Sequence, residues 1–160
     1  MHITQSQRIF NVISGLRVGS IFAVGFLVVP ILFSSLGDRQ IAGLVAANLF
    51  KITAYIGVCL SAILMVAANF YVRTGLDSYR MIRWILLGML ICSIGAAFIL
   101  IPWMNILRDQ ALFLGVSVTE TNNADLFKRL HSISSVLFLL QSALGIVLLW
   151  RTTKTINTNI

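Results

Sequence analysis

Charged residues are scarce in this chain of 160 residues, and acids are the scarcest. Only 11% of the residues are charged and only five are Asp or Glu, whereas 58% are hydrophobic and the mean hydropathy is +0.93. Soluble domains carry about 25% charged residues. The composition therefore excludes an ordinary water-soluble protein and indicates a membrane protein.

Residues that carry catalytic chemistry are also few. Two cysteines are too few for the disulfide framework of a small secreted protein. The chain has no phosphate-binding glycine loop, dinucleotide fingerprint, HExxH pair or nucleophile elbow. No carboxylate interrupts the long apolar stretches, which argues against a proton relay. We expect no enzyme activity, no catalytic residue and no cofactor.

Four charge-free stretches determine the predicted architecture. They cover residues 18–37, 52–72, 84–107 and 130–150. Each matches the roughly 20 residues that a helix needs to cross a hydrocarbon core of about 30 Å. The sequence predicts one all-α membrane domain over residues 1–160, a four-helix bundle whose first stretch is retained as a span rather than cleaved. The predicted spans are 15–36, 50–72, 83–106 and 129–150.

Basic residues predict the orientation of the bundle. The net charge is +7, and four spans place both termini on one side of the membrane. That side receives seven Lys and Arg (Arg8, Arg17, Arg73, Arg80, Arg83, Arg151 and Lys154), and the other receives five (Arg39, Lys51, Arg108, Lys128 and Arg129). The positive-inside rule then predicts that both termini are cytoplasmic. Because most of the excess charge suits anionic lipid headgroups, the lipid bilayer is the expected partner and nucleic acid is not.

Two connections show helix-capping patterns. Asp38 is a plausible N-cap for a helix that begins at residue 39 or 40. Residues 40–51 form either a separate interfacial helix or the start of one long helix that runs to residue 72, and the single helix is preferred. In the longest connection, Asn122 or Asn123 is expected to cap the fourth helix.

Metal ligands are sparse. His131 at the start of the fourth span, Cys59 and Cys92 near mid-span, and Met89 one turn before Cys92 are weak candidates, because soft sulfur ligands suit Cu(I). Buried cysteine and methionine more often serve as packing residues. A bis-histidine haem is excluded because His2 and His131 fall on opposite sides. No metal site is therefore predicted.

Small and helix-breaking residues predict the packing of the first span. Gly15 and Gly19 have the GxxxG spacing that permits close helix approach, within the bundle or in a homodimer. Gly25 is a further packing candidate. Pro30 removes a helix hydrogen bond and should kink the span. Gln141, in the middle of the fourth span, is expected to form a hydrogen bond to another helix.

Three parts of the chain resemble the domain of unknown function 4149 family, which includes eukaryotic transmembrane protein 205. They are the first span from Gly25 to Phe33, residues 41–50, and Leu130-His131 with Ser134. The resemblance covers most of the chain. It implies a four-span bundle in a bacterial inner membrane and brings no established reaction. The eukaryotic member's association with platinum-drug resistance hints at soft-metal handling. The first span also loosely resembles CopD-type copper-resistance proteins, but this chain lacks their His and Met positions.

Topology places Asn48, Lys51, His131 and Ser134 near the outer face, where they could form a polar pocket. The leading prediction is a non-enzymatic accessory or scaffolding subunit of a larger membrane complex, with other membrane subunits as partners. The alternative is a transport or resistance protein for a small molecule or metal ion that uses the pocket around His131.

Overall fold

Four long helices make up almost the whole molecule. The computed structural model describes residues 5–157, with side chains described through residue 154. The helices are α1 (Gln5–Ser35), α2 (Arg39–Arg73), α3 (Tyr79–Phe113) and α4 (Ala124–Asn157), and a short 3-10 turn, Val118–Glu120, precedes α4. Residues 5–157 contain no strand. The predicted all-α four-helix bundle is confirmed.

Consecutive helices are neighbours, and α4 closes the bundle against α1. The connections at residues 36–38 and 74–78 are short, so α1, α2 and α3 alternate in direction. We call the end that holds Gln5, Asn157 and the 74–78 connection the terminal end. The distal end holds the 36–38 and 114–123 connections.

The helix α2 is uninterrupted, which decides between the two predictions for residues 40–51 in favour of one long helix. The carboxylate of Asp38 accepts hydrogen bonds from the backbone N–H groups of Gln40 at 2.7 Å and Ile41 at 3.4 Å. Asp38 is therefore the N-cap, as predicted. The fourth helix begins at Ala124, directly after Asn123.

Helices α1 and α3 each contain a π-helical segment in the half nearer the distal end. The segments are Ala23–Val28 and Ala96–Leu100. Each lies just before a proline, Pro30 or Pro102, which cannot donate the usual hydrogen bond to the residue four positions earlier. Wider hydrogen bonds compensate, since the N–H of the residue preceding each proline bonds five residues back. The helix disruption predicted at Pro30 therefore takes the form of a π segment.

Tight packing is concentrated in the terminal half. Phe10, Tyr71 and Tyr79 form an aromatic cluster with ring centroids 4.7–5.9 Å apart. Aliphatic core residues continue from this cluster toward the middle of the bundle, where Leu86 and Met89 have no exposed surface. The distal half has a much smaller cluster, and no residue of Ala23–Ser35 is buried. The distal half is therefore the more open part of the bundle.

Large apolar side chains cover the outside of the bundle, among them Leu27, Val66, Phe98 and Val136, each more than half exposed. In each helix, an 18-residue window has a mean hydropathy of 2.1 or more. A chain with this surface is a membrane protein in contact with lipid. The helices extend beyond the predicted spans, except that α1 ends one residue earlier. The exact membrane boundaries stay predictions.

Candidate functional site

A buried arginine lies at the centre of the bundle. Arg17 of α1 is 1% exposed. Its Nε donates a hydrogen bond to the Ser61 hydroxyl of α2 at 3.2 Å, and its Nη2 donates to the Ser93 hydroxyl of α3 at 2.7 Å. Arg17 was counted among the seven basic residues of the side that holds the termini; because it is buried in the bundle, six of them remain outside it.

Gly57 provides the space for this guanidinium. A Cβ at Gly57 would lie 2.7 Å from Nη1, 2.8 Å from Cζ and 2.9 Å from Nη2 of Arg17, closer than real Cβ contacts. Residues 5–157 offer Arg17 no carboxylate partner, since its only side-chain partners there are the two hydroxyls. The site therefore holds a desolvated cation without a counter-charge.

The polar contacts at Arg17 extend to the fourth helix. The Gln141 amide nitrogen donates to the Ser93 hydroxyl at 2.7 Å and to the Met89 carbonyl at 3.2 Å. Ser93 in turn donates to the Met89 carbonyl at 2.8 Å. Each of the four helices therefore contributes one side chain to a connected polar cluster, Arg17, Ser61, Ser93 and Gln141. The interhelical hydrogen bond predicted for Gln141 is confirmed.

A cavity of about 390 Å³ extends from this cluster toward the distal end. Its lining is mainly apolar and comes from all four helices, with a cation at each end: Arg17 at the inner end and Arg108 near the distal end. His131, Ser134 and Thr53 add polar groups to the wall. The lining residues include no Asp, Glu or Cys.

The cavity is elongated. On α3 its wall runs from Ala96 to Arg108, a rise of about 18 Å along the helix axis. A sphere of about 390 Å³ would be only about 9 Å across, so the space is a slot. A second hollow of about 400 Å³ adjoins its distal end and shares four lining residues with it, namely Phe33, Gly43, Arg108 and His131.

Two of the four residues predicted for the polar pocket line the cavity. His131 and Ser134 line the cavity, whereas Asn48 and Lys51 are exposed and do not line it. The cavity-facing residues of α2 recur at helical spacing through Ala46, Phe50 and Thr53. At about 100° per residue, Asn48 falls on nearly the opposite face and Lys51 about a quarter-turn away. Of the four residues predicted for the pocket, this cavity therefore includes His131 and Ser134.

The weak metal candidates lie in different surroundings. Cys59 is exposed on the bundle surface, Cys92 is buried and Met89 belongs to the core. Among the described residues, no group of three or more His, Cys, Asp or Glu could hold a metal ion. His131 is exposed and stacks on Phe127 with ring centroids 6.3 Å apart. His2 lies outside the described residues.

The three glycines of α1 that were predicted to pack closely have different surroundings in the structure. An added Cβ at Gly15 or Gly19 would meet no neighbouring side chain or helix within 4 Å among the described residues, so neither glycine forms a close helix contact in this bundle. Gly25 lies directly against the Phe138 ring of α4, where any side chain would overlap the ring. Phe138 also contacts the rings of Phe26 and Phe50 and forms part of the cavity wall.

The predicted span 15–36 includes Arg17, but the charge count assigned this arginine to the basic residues of the terminal side, so its place inside the bundle was missed. The signal was present, since residues 9–16 are largely uncharged and apolar and separate Arg17 from Arg8. Ser61 and Ser93, at the middle of the second and third spans, were the matching polar positions.

The sequence model described as a domain of unknown function, DUF4149, matches residues 12–112. The chain belongs to this family. The matched region contains Arg17, Ser61 and Ser93 and ends before α4, so Gln141 and His131 lie outside it. No curated protein and no solved structure matches the chain. Membership of the DUF4149 family brings no assigned reaction or ligand.

Proposed function

We propose that this DUF4149 protein binds a small, mainly apolar molecule in the cavity between its helices, as a transport or resistance protein for that molecule. The observation that carries the proposal is the elongated cavity, which is bounded by all four helices and has a buried polar cluster at its inner end. Its volume lies within the range of about 300–1,000 Å³ for small-molecule sites.

The cost of an empty cavity supports an apolar occupant. Where this mainly apolar space of about 390 Å³ stays unfilled, the side chains of its wall lose dispersion contacts, which costs free energy. Water fills apolar cavities poorly, because it finds too few hydrogen-bond partners there. An apolar molecule that enters from the bilayer or from the distal end recovers much of this free energy.

Of the two functions expected from the sequence, the cavity favours small-molecule binding over an accessory or scaffolding role. The lining offers no carboxylate or thiol, which supports binding without catalysis. Metal transport receives less support than binding of an organic molecule, because the only soft or nitrogenous ligands on the lining are Met104 and His131.

We further propose an inner-membrane location with both termini in the cytoplasm. With Arg17 in the bundle, the terminal end retains six basic residues and one acid, a net charge of +5. The distal end has five basic residues and four acids, a net of +1. Arg73, Arg80 and Arg83 lie in or next to a short connection, where the positive-inside rule applies most strongly.

A photoreactive decyl alcohol tests the proposed site in protein reconstituted into lipid bilayers. Adducts mapped by mass spectrometry should concentrate on cavity-lining residues such as Ile101 and Leu137. Gly43→Leu should reduce these adducts about tenfold, the effect of about 1.4 kcal/mol, because Gly43 lines the cavity and has open space at its Cβ position.

Gly19→Leu is the matched control, since Gly19 also has open space but does not line the cavity. It should leave the cavity adducts unchanged. Adducts spread evenly over the lipid-facing surfaces, and insensitive to Gly43→Leu, would refute small-molecule binding in the cavity.

A further inference from the structure

We propose that the ligand is an amphipathic anion, a single alkyl chain or similarly narrow apolar body that ends in a carboxylate, and that its carboxylate binds Arg17. This inference rests on the proposed function and adds the chemical class of the ligand and its orientation. It follows from the charge on the cavity wall, the state of the Arg17 guanidinium and the shape of the space.

Arg17 is a buried cation without an acidic partner among residues 5–154. The residue is 1% exposed and is one of those that line the cavity. Two of its five N–H groups donate to the neutral hydroxyls of Ser61 and Ser93. Burying a charge without an opposite charge is expensive, and truly buried arginines usually pair with an acid. A ligand carboxylate supplies the charge that residues 5–157 do not.

Arginine also has suitable geometry for this ligand. The planar guanidinium presents parallel N–H donors that match the two oxygens of a carboxylate. Ser61 and Ser93 hold the Nε and Nη2 sides from α2 and α3. The guanidinium also lies close against α2 at Gly57, so these contacts hold it in position before the ligand arrives. Fixed donors in a low-dielectric site bind an anion more strongly than mobile surface groups do.

The remainder of the cavity fits an apolar chain. Beyond Arg17 the wall consists mainly of aliphatic and aromatic side chains, including Ile21, Val24, Ile101 and Leu137. The slot is about 18 Å long, which is long enough for an extended alkyl chain of ten carbons.

The distal opening favours anions as well. Arg108 and His131 line both hollows, and Arg39 lines the outer one. No Asp or Glu lines either hollow. The basic side chains of Arg39 and Arg108 on these walls raise the local concentration of anions. An anion therefore meets cationic groups from the opening to the inner end.

Competition against the photoreactive decyl alcohol tests this inference in the wild-type protein. Decanoate, decanol and decyltrimethylammonium have the same chain length and differ in the charge of the head group. Decanoate should displace the probe from cavity residues at about one tenth of the decanol concentration or less. Decyltrimethylammonium should be weaker than decanol, because its cation would face Arg17.

Variants then assign the preference to Arg17. Arg17→Gln removes the charge and keeps a polar amide at about the level of Nε, so decanoate and decanol should become equal competitors. Arg17→Lys should recover part of the decanoate preference. The control is Arg83→Gln, since Arg83 bonds to Asn69 and lies outside the cavity, and it should keep the wild-type ratio.

The results separate this inference from the proposed function. Equal competition by decanoate and decanol in the wild type, with adducts still in the cavity, overturns the anion assignment and leaves small-molecule binding intact. Absence of cavity adducts overturns both. A purely structural Arg17 would lower stability in Arg17→Gln without changing the competition ratio. If Arg17→Gln does not fold, the three wild-type competitors still decide the ligand's charge.

Discussion

Gly57→Ala is the sharpest test of how Arg17 is held. An added Cβ would lie 2.7–2.9 Å from three atoms of the guanidinium. Because this group is buried and bonded to Ser61 and Ser93, it cannot move away without stretching or breaking those hydrogen bonds.

Two opposing effects determine how much Gly57→Ala changes the free energy of unfolding. Replacing glycine by alanine within a helix stabilises it by about 0.8–1.0 kcal/mol by intrinsic propensity. Loss of one hydrogen bond to a charged group costs about 1.5–3 kcal/mol. The net expectation for Gly57→Ala is a loss of about 0.5–2 kcal/mol. Gly19→Ala, where the added Cβ meets open space, should instead gain up to about 1 kcal/mol.

The free energy of unfolding, measured by denaturant titration in mixed micelles with circular dichroism, compares the two variants. In the Arg17→Gln background, Gly57→Ala should lower the free energy of unfolding only slightly, because the shorter glutamine side chain leaves room for the alanine Cβ. Equal stability of Gly57→Ala and Gly19→Ala in the wild-type background would refute the position described for the guanidinium.

Two further predictions use the same titration. Ser93→Ala should lower the free energy of unfolding by about 1–3 kcal/mol, because the Ser93 hydroxyl accepts two hydrogen bonds and donates one. The control Ser132→Ala removes an exposed hydroxyl that is bonded only within its own helix, and it should change stability by less than about 0.5 kcal/mol. Equal costs of the two substitutions would contradict the polar cluster. Met89→Ala, in the fully packed terminal half, should cost about 2–5 kcal/mol, and Met104→Ala should cost less because Met104 borders the cavity and has fewer packing partners to lose. A larger loss at Met104 would contradict the division into a packed and an open half.

Local features of the sequence were predictable. The charge-free stretches determine the four helices, because a helix must keep about 20 apolar residues in the hydrocarbon core. The cap at Asp38 depends only on its own backbone and side chain. The contact of Gln141 follows from the cost of leaving a polar group without partners among apolar helices.

The candidate site was less predictable because it depends on which helix faces meet. His131 and Ser134 line the cavity, whereas Asn48 and Lys51 lie at a similar level on other faces of α2. The hydrogen bonds of Arg17 require the relative rotation of three helices, which spacing along one helix does not determine. The π segment before Pro102 was missed although the same residue type had been recognised at Pro30.

The two π segments change which residues of α1 and α3 face the inside of the bundle along the length of each helix. A π turn takes in one more residue than an α turn, so the side-chain register beyond it shifts relative to the register before it. Each helix thus presents one face pattern to the packed half and a different one to the cavity. Substitutions beyond Ala23–Val28 and Ala96–Leu100 can therefore change the cavity wall without changing the packing register of the terminal half.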